Sequence, residues 1–282
     1  FATRSGNVRR NALSDFTNVK SNGKIAMKIG EDDAIVAVEV CTGDDNVLLA
    51  AKSGKCIRFR TDDVRVFKGR DSTGVRGMRL QGDDRVISMT ILRAFDASPA
   101  EARAYVKYAK MLRRGEDGSV QEILNGAQDS AEADADEVVL TPERIAELGA
   151  AEQFILSITE NGYGKRTSSY EYRVTGRGGQ GIINIETSDR NGAVISSGPV
   201  EDTDHMMLVT DGGKLIRIGV SEVRVAGRNT QGVTLFNVDA TERVVSVTRM
   251  ADAEKNADDA ENEDGISEDG SDAPENDSGP DA

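Results

Sequence analysis

Short stretches in which apolar and polar residues alternate recur along most of the chain. In Lys55-Cys56-Ile57-Arg58-Phe59-Arg60, Ile57 and Phe59 point to one side of a strand and Arg58 and Arg60 to the other. The segment from Lys214 to Ile218 repeats this alternation. Turn signals separate such segments, at Ser53-Gly54, Asn161-Gly162, Asn191-Gly192 and Asp211-Gly212. The pattern predicts many short β-strands joined by tight turns.

The alternating segments form four copies of one repeat, whose register is given by Gly6, Gly54, Gly162 and Gly213. A base follows each of these glycines by four residues: Arg10, Arg58, Arg166 and Arg217. A second glycine follows after 17 to 20 residues: Gly23, Gly74, Gly181 and Gly232. A base precedes each second glycine by three or four residues: Lys20, Arg70, Arg177 and Arg228. A repeat of about 50 residues with several short strands is typical of a propeller-type blade.

Two features of the repeats depart from the simplest interpretation. Arg9 and Lys165 stand where the second copy has Ile57, at a position that alternation places inward. The segment Gly176 to Gly181 matches G-x-G-x-x-G, but the apolar run Ile182 to Ile185 that follows predicts a strand, whereas a dinucleotide site requires a helix there. We therefore do not interpret this segment as a nucleotide site.

Residues 95–152 separate the second and third repeats and hold 13 acidic and six basic residues. Ser98-Pro99 predicts the start of a helix over 100–114, and Thr141-Pro142 the start of a second helix that ends at Gly149. An acidic, Ala-rich stretch lies between them at about 126–137. We interpret the insertion as a surface excursion from a blade loop, with a dedicated partner site as the alternative.

The net charge of −14 is distributed unevenly. Residues 251–282 hold 13 acidic residues and one Lys, and composition predicts a disordered acidic tail. Residues 1–94 and 153–250, which contain the repeats, are mildly basic, with 28 bases and 23 acids. The tail, as a flexible polyanion, is expected to compete with any other polyanion for nearby basic residues; a purely solubilising tail is the alternative.

The composition also excludes several classes of site. One His and two Cys provide neither a metal cluster nor a Ser-His-Asp arrangement, so we expect no catalytic, cofactor or metal residue in this chain. Cys56 is interpreted as a half-buried free thiol. No apolar run is long enough to span a membrane, and no signal-peptide pattern is present. We expect a cytosolic protein, or a fragment of one whose front end is missing.

A basic residue repeated at one blade position becomes a row of positive charge when blades are arranged around an axis. Such a row can contact the phosphates of duplex DNA without contacting the edges of the nucleotide bases. Aromatic residues are sparse and are not interleaved with the bases, which argues against single-strand binding. Solvated strand faces paired with turn aspartates are the alternative. The candidate DNA-binding residues are Arg10, Lys20, Lys55, Arg58, Arg70, Arg76, Lys165, Arg166, Arg177, Arg217 and Arg228.

The repeats resemble the family of C-terminal domains of the DNA gyrase A protein. The resemblance covers 1–94 and 153–250 and is close at Ser72 to Gly77, Gly162 to Thr167 and Ser221 to Val233. It implies an all-β fold, a β-pinwheel that commonly has six blades and wraps DNA on its basic edge to support ATP-driven negative supercoiling. The family's Gln-Arg-Arg-Gly-Gly-Lys-Gly box would belong to a missing first blade, and Gly176 to Gly181 looks like a degenerate relative of it.

The resemblance also implies partners. They are duplex DNA, the gyrase B protein and the rest of the gyrase A protein in an A2B2 heterotetramer, in the cytoplasm on the nucleoid and without a membrane. ATP and Mg²⁺ would be bound by the gyrase B protein, and the DNA-cleaving Tyr would lie in a separate N-terminal region. Three alternatives remain: the equivalent domain of topoisomerase IV, a propeller used as a protein-interaction scaffold, and a four-bladed enzyme with a central site.

Overall fold

Four antiparallel β-sheets make up most of the computed structural model, which describes residues 1–113 and 138–251. The predicted acidic stretch at 126–137 and the tail after residue 251 lie outside the described residues. The strands are short, as the alternation predicts. They are β1 (Ala2–Thr3), β2 (Asn7–Val8), β3 (Ile35–Ala37), β4 (Asn46–Ala51), β5 (Lys55–Arg60), β6 (Val75–Arg76), β7 (Val86–Leu92), β8 (Phe154–Thr159), β9 (Tyr163–Ser168), β10 (Ile182–Ile183), β11 (Val194–Val200), β12 (His205–Thr210), β13 (Leu215–Gly219), β14 (Val233–Thr234) and β15 (Val244–Met250).

The second, third and fourth repeats each contribute one strand to the sheet of the preceding repeat. The sheets have the strand orders β3-β1-β2-β6, β7-β4-β5-β10, β11-β8-β9-β14 and β15-β12-β13. In the second sheet, β10 comes from the third repeat and pairs Ile182 with Cys56. The strands β6 and β14 are exchanged in the same way. The fourth sheet has three strands, because no described repeat follows it to supply a fourth.

Six of the eight repeated glycines lie where neighbouring repeats meet, whereas Gly23 and Gly213, in the first and last copies, have open space around them. At the junction of the second and third repeats, Gly54 has φ +87° and Gly181 has φ +78°. A Cβ on Gly54 would lie 2.3 Å from the carbonyl oxygen of Ile185, and one on Gly181 would lie 2.2 Å from that of Cys56. Both the backbone conformation and the close approach therefore require glycine. The register that the sequence shows is thus a register of contacts between repeats.

The apolar faces of the strands build a core that continues from sheet to sheet. Val47 pairs with Phe59 on one side and with Ile91 on the other, and Phe59 is fully buried. The strands β3, β7, β11 and β15, one from each repeat, pack against one another in that order. Ile57 and Phe59 are buried and Arg60 is exposed, as the alternation predicts. These four strands, one from each sheet, therefore form a single packed layer that connects the successive sheets.

Two helices form the described part of the insertion, α1 (Pro99–Arg113) and α2 (Pro142–Ala151). Ser98 and Glu101 form a reciprocal cap at the start of α1, with the Ser98 amide donating to the Glu101 carboxylate at 2.8 Å. Thr141 caps α2 as predicted, although the helix continues two residues beyond Gly149. The ring of Tyr105 packs edge-on against that of Tyr170 at 5.4 Å, which fixes α1 on the third repeat.

Three further predictions about single residues can be compared with the structure. Cys56 is fully buried and not half-buried, because its side chain packs in a hydrophobic cluster that includes Ile155 and Tyr172 of the third repeat. The G-x-G-x-x-G segment is followed by the strand β10, as predicted. Among the described residues, neither helix is long and apolar enough to cross a membrane, and no cluster of His, Cys, Asp and Glu suits a metal ion.

Candidate nucleic-acid interface

The base that follows the first glycine connects each repeat to the next one. The Arg58 guanidinium donates to the carbonyl oxygens of Ser169 at 2.9 Å and Tyr172 at 3.3 Å in the third repeat. Arg166 does the same one repeat later, with its Nε 2.7 Å from the carbonyl oxygen of Val223. Arg10 reaches Asp62 in the second repeat at 3.0 Å. Three of the phased bases therefore hold neighbouring repeats together.

Backbone contacts accompany these side-chain bonds. Parallel bridges join Arg10 to Val66, Arg58 to Val174 and Arg166 to Val225. Arg217, the fourth member of the set, has no described repeat after it, and its side chain is exposed. The same residue type thus contacts the next repeat in three copies, and in the last copy, where the structure describes no further repeat, it makes no such contact.

The base that precedes the second glycine connects each repeat to the one before it. The partner is the carbonyl oxygen two residues after the second glycine of the preceding repeat. Arg70 donates to Ile25 at 3.2 Å, Arg177 to Arg76 at 3.0 Å, and Arg228 to Ile183 at 2.7 Å. Lys20, in the first repeat, is exposed. Both phased sets therefore form contacts between repeats.

The two inward-facing bases have the same kind of role. Lys165 has no exposed surface, and its ammonium donates to the carbonyl oxygens of Gly227 and Arg228, both at 2.6 Å. Burial lowers the pKa of Lys165 to about 8. Arg9 is also buried, and it donates to the carbonyl oxygen of Ser72 at 2.7 Å. A long basic side chain at this position therefore donates hydrogen bonds to backbone carbonyl oxygens of the next repeat.

The candidate DNA-binding residues thus divide by exposure. Lys165 and Arg166 are buried, with Arg166 also paired to Asp202. Five are half-buried: Arg10, Lys55, Arg58, Arg70 and Arg228. Four are exposed: Lys20, Arg76, Arg177 and Arg217. The exposed side chains alone present most of their charge to a ligand in solution.

Comparison with protein families agrees with this repeat organisation. A model of the DNA gyrase C-terminal domain, a β-propeller, matches residues 1–42, 45–93, 153–201 and 204–249. The chain belongs to this family. The four matched segments contain the four glycine registers of the gyrase C-terminal repeats, and the segment from 94 to 152 lies outside the match.

Relatives and solved structures extend the comparison. The chain is 50% identical to the DNA gyrase A protein of Granulibacter bethesdensis over 93% of its own length, and 47% identical to that of Rickettsia bellii over 96%. It spans only 29% of the length of each of these proteins. A solved DNA gyrase A C-terminal domain superimposes with a TM-score of 0.60 at 21% identity, covering 89% of this chain and 64% of that one. A C-terminal domain of DNA topoisomerase IV gives 0.67 at 17%, covering 94% and 66%. At these identities the two structures show the fold alone.

A further set of bases in the gyrase-type repeats is missing from the candidates predicted from sequence. Arg65, Arg173 and Arg224 each lie eleven residues after the first glycine of their repeat. All three are exposed, and each directly precedes a valine that bridges to the preceding repeat. We call these three residues the junction row. The register that located the other bases contained this signal too, since a base stands at this position in three of four copies.

The junction row is available to a ligand. Arg173 and Arg224 make no side-chain hydrogen bond or ion pair within residues 1–113 and 138–251. The guanidinium of Arg65 lies over the Phe67 ring at 4.5 Å, which leaves its N–H edges open. Exposed guanidinium groups of this kind bind phosphate oxygens through paired N–H donors.

Proposed function

We propose that this chain is the DNA-wrapping part of a DNA gyrase A protein, and that it binds duplex DNA through phosphate contacts without reading sequence. The observation that carries the proposal is the junction row, an exposed Arg at one register position in three successive repeats. Exposed basic residues at one register position in successive repeats can contact phosphates along a duplex without contacting base edges. The exposed Lys20, Arg76, Arg177 and Arg217 add to the same surface chemistry.

The whole protein to which the chain would belong is proposed to be part of an ATP-dependent type II topoisomerase that introduces negative supercoils. The partners of the chain are the gyrase B protein and the remainder of the gyrase A protein, assembled as an A2B2 heterotetramer in the cytoplasm on the nucleoid. ATP and Mg²⁺ belong to the gyrase B protein, and DNA cleavage to another region of the gyrase A protein. This segment would contribute binding and bending of DNA and no covalent chemistry.

The junction row can be tested by a double substitution, Arg65→Gln with Arg224→Gln. The matched control is Lys52→Gln with Lys214→Gln, which removes the same charge from lysines that already pair with carboxylates. Fluorescence anisotropy with a linear duplex of about 150 base pairs, one persistence length, measures the affinity across salt concentrations. Two lost phosphate contacts should make the slope of log affinity against log salt shallower by about 1.8.

The outcomes of this experiment separate phosphate binding from other roles. The junction-row variant should bind every duplex sequence more weakly, and the control should bind like the unmodified chain. Equal weakening by both variants would indicate that net charge alone matters and would reject the assignment. Wrapping, as distinct from binding, should change the linking number when a nicked circle is ligated in the presence of the chain. No change in linking number would reject wrapping.

A further inference from the structure

A basic groove lies between α1 of the insertion and the repeats. It has a volume of about 780 Å³. Seven bases and a single acid, Glu171, line it. The seven bases come from three repeats and the insertion. They are Arg58, Arg93, Arg103, Lys107, Lys110, Arg173 and Arg228.

The helix α1 supplies its basic face to this groove. Arg103, Lys107 and Lys110 are spaced by four and three residues, which places them on one side of a helix. All three line the groove. The opposite side carries the buried Tyr105 and Ala109, which attach α1 to α2 and to the third repeat. The orientation of the helix is therefore fixed by its apolar face, and its basic face is held toward the groove.

The floor of the groove carries positive charge that no described carboxylate pairs with. Arg58 donates to two backbone carbonyls and Arg228 to one, and the Nε of each is buried without an acceptor among residues 1–113 and 138–251. Burial lowers the pKa of Arg58, which reflects the cost of holding this charge away from water. Unpaired charge in a cleft with low-dielectric walls attracts anions strongly.

The single acidic residue of the groove is already engaged. The carboxylate of Glu171 lies 3.0 Å from the ammonium of Lys110 and accepts the backbone amide of Arg228 at 3.0 Å. It offsets the charge of Lys110. On the rim, Arg93 and Arg103 make no side-chain ion pair within the part of the chain that the structure describes. Together with Arg58 and Arg228 on the floor, they leave the groove with an excess of positive charge.

We propose that this groove binds the phosphodiester backbone of duplex DNA, so that the insertion extends the DNA-binding surface of the repeats. This inference rests on the proposed function. Arg173 connects the two surfaces, because it belongs to the junction row and also lines the groove. DNA that contacts the junction row at the third repeat thus meets the groove next. Backbone phosphates suit the site because guanidinium and ammonium groups dominate its lining, and such groups bind phosphate oxygens whatever the DNA sequence.

The test uses a double substitution that leaves the junction row intact, Arg93→Gln with Arg103→Gln, in the 282-residue chain. Neither residue is buried, so the fold should be retained, and a thermal melt followed by circular dichroism checks this. The matched control is again Lys52→Gln with Lys214→Gln. With the same duplex and salt series, the groove variant should show a slope shallower by about 1.8, for two phosphate contacts.

Each outcome bears on one proposal. If the junction-row variant binds more weakly and the groove variant binds like the control, the groove does not contact DNA, and the proposed function stands. If all three variants and the unmodified chain show no salt-dependent binding, the proposed function itself fails. If the groove and junction-row variants both show shallower slopes and the control does not, the inference is supported. A groove variant weakened at one DNA sequence only would overturn the phosphate assignment.

Discussion

Replacing Lys165 by Met removes a buried charge and keeps the apolar stem of the side chain. The ammonium donates to the carbonyl oxygens of Gly227 and Arg228 and to the hydroxyl of Thr230. After the substitution the Gly227 oxygen keeps the Thr230 hydroxyl as a donor at 2.9 Å, whereas the Arg228 oxygen loses its ammonium donor. A buried polar group that loses its partner costs about 1–3 kcal/mol, so we expect a loss of about 2 kcal/mol in the free energy of unfolding near neutral pH.

The size of this loss should depend on pH. Burial lowers the pKa of Lys165 from 10.5 to about 8. Between these pH values the unfolded chain holds a proton that the folded protein has released, so unfolding takes up a proton. The stability contributed by this site therefore rises as the pH goes from about 8 to 10.5. At about 1.36 kcal/mol for each unit of pKa difference, the rise is on the order of 3 kcal/mol. Lys165→Met lacks the group, so the gap between the two proteins should widen across this range.

Urea unfolding followed by far-ultraviolet circular dichroism measures the gap, since the chain has no Trp to report by fluorescence. At each pH, subtracting the free energy of unfolding of Lys165→Met from that of the unmodified protein cancels the contribution of all titrating groups that the two proteins share. A gap that stays constant from neutral pH to pH 10.5 would refute the reasoning, because it would mean that the Lys165 ammonium keeps its ordinary pKa when the protein folds.

Three other predictions follow from contacts between repeats and from burial. Arg58→Met should lower the free energy of unfolding by about 2–3 kcal/mol, because it removes charged hydrogen bonds to the third repeat. Arg217→Met, at the exposed equivalent position, should change it by less than about 0.5 kcal/mol, and equal effects of the two substitutions in urea unfolding would contradict the role of Arg58 in joining the repeats. Gly54→Ala should cost roughly 3 kcal/mol or more, because the added Cβ meets the Ile185 oxygen, and Gly213→Ala, with φ +82° and open space, about 1 kcal/mol in the same assay. Burial raises the pKa of Cys56 to about 12, so a disulfide reagent at mildly alkaline pH should leave Cys56 unmodified in the folded protein and modify it after denaturation. The partly exposed Cys41 is the internal control, and rapid modification of Cys56 in the folded protein would contradict its burial.

The sequence predicts the strands, the repeat register and the two helices well, because each has a local signal. Alternation at Ile57 and Phe59 gives the buried face of β5, and Thr141-Pro142 gives the start of α2. The exchanged strands have no such signal. Ile182 and Ile183 form a strand only because β5 of the preceding repeat pairs with them. Their partner is about 125 residues away in sequence, and no local pattern identifies it.

The candidate interface is less predictable than the fold. A repeated base has the same spacing whether it faces solvent or the next repeat, so Arg166 and Arg217 look equivalent in sequence. Arg166 is 8% exposed because the fourth repeat covers it, and Arg217 has no described repeat beyond it. Which of two phased arginines can reach a phosphate is decided by long-range contacts that the register alone does not contain. DNA contact by each candidate residue stays a prediction.

The exchange of strands has a consequence for how the chain withstands breakage. The insertion joins the second and third repeats through a single covalent connection, but β10 also inserts the third repeat into the sheet of the second, and Arg58 and Arg177 bind across the same junction. A protease that cuts the connection between α1 and α2 therefore severs one of several links. The two halves should stay together as a nicked complex until denaturant separates them. Insertions, deletions and substitutions in the peptide between these repeats should therefore leave the two halves associated, and the insertion lies at such a position.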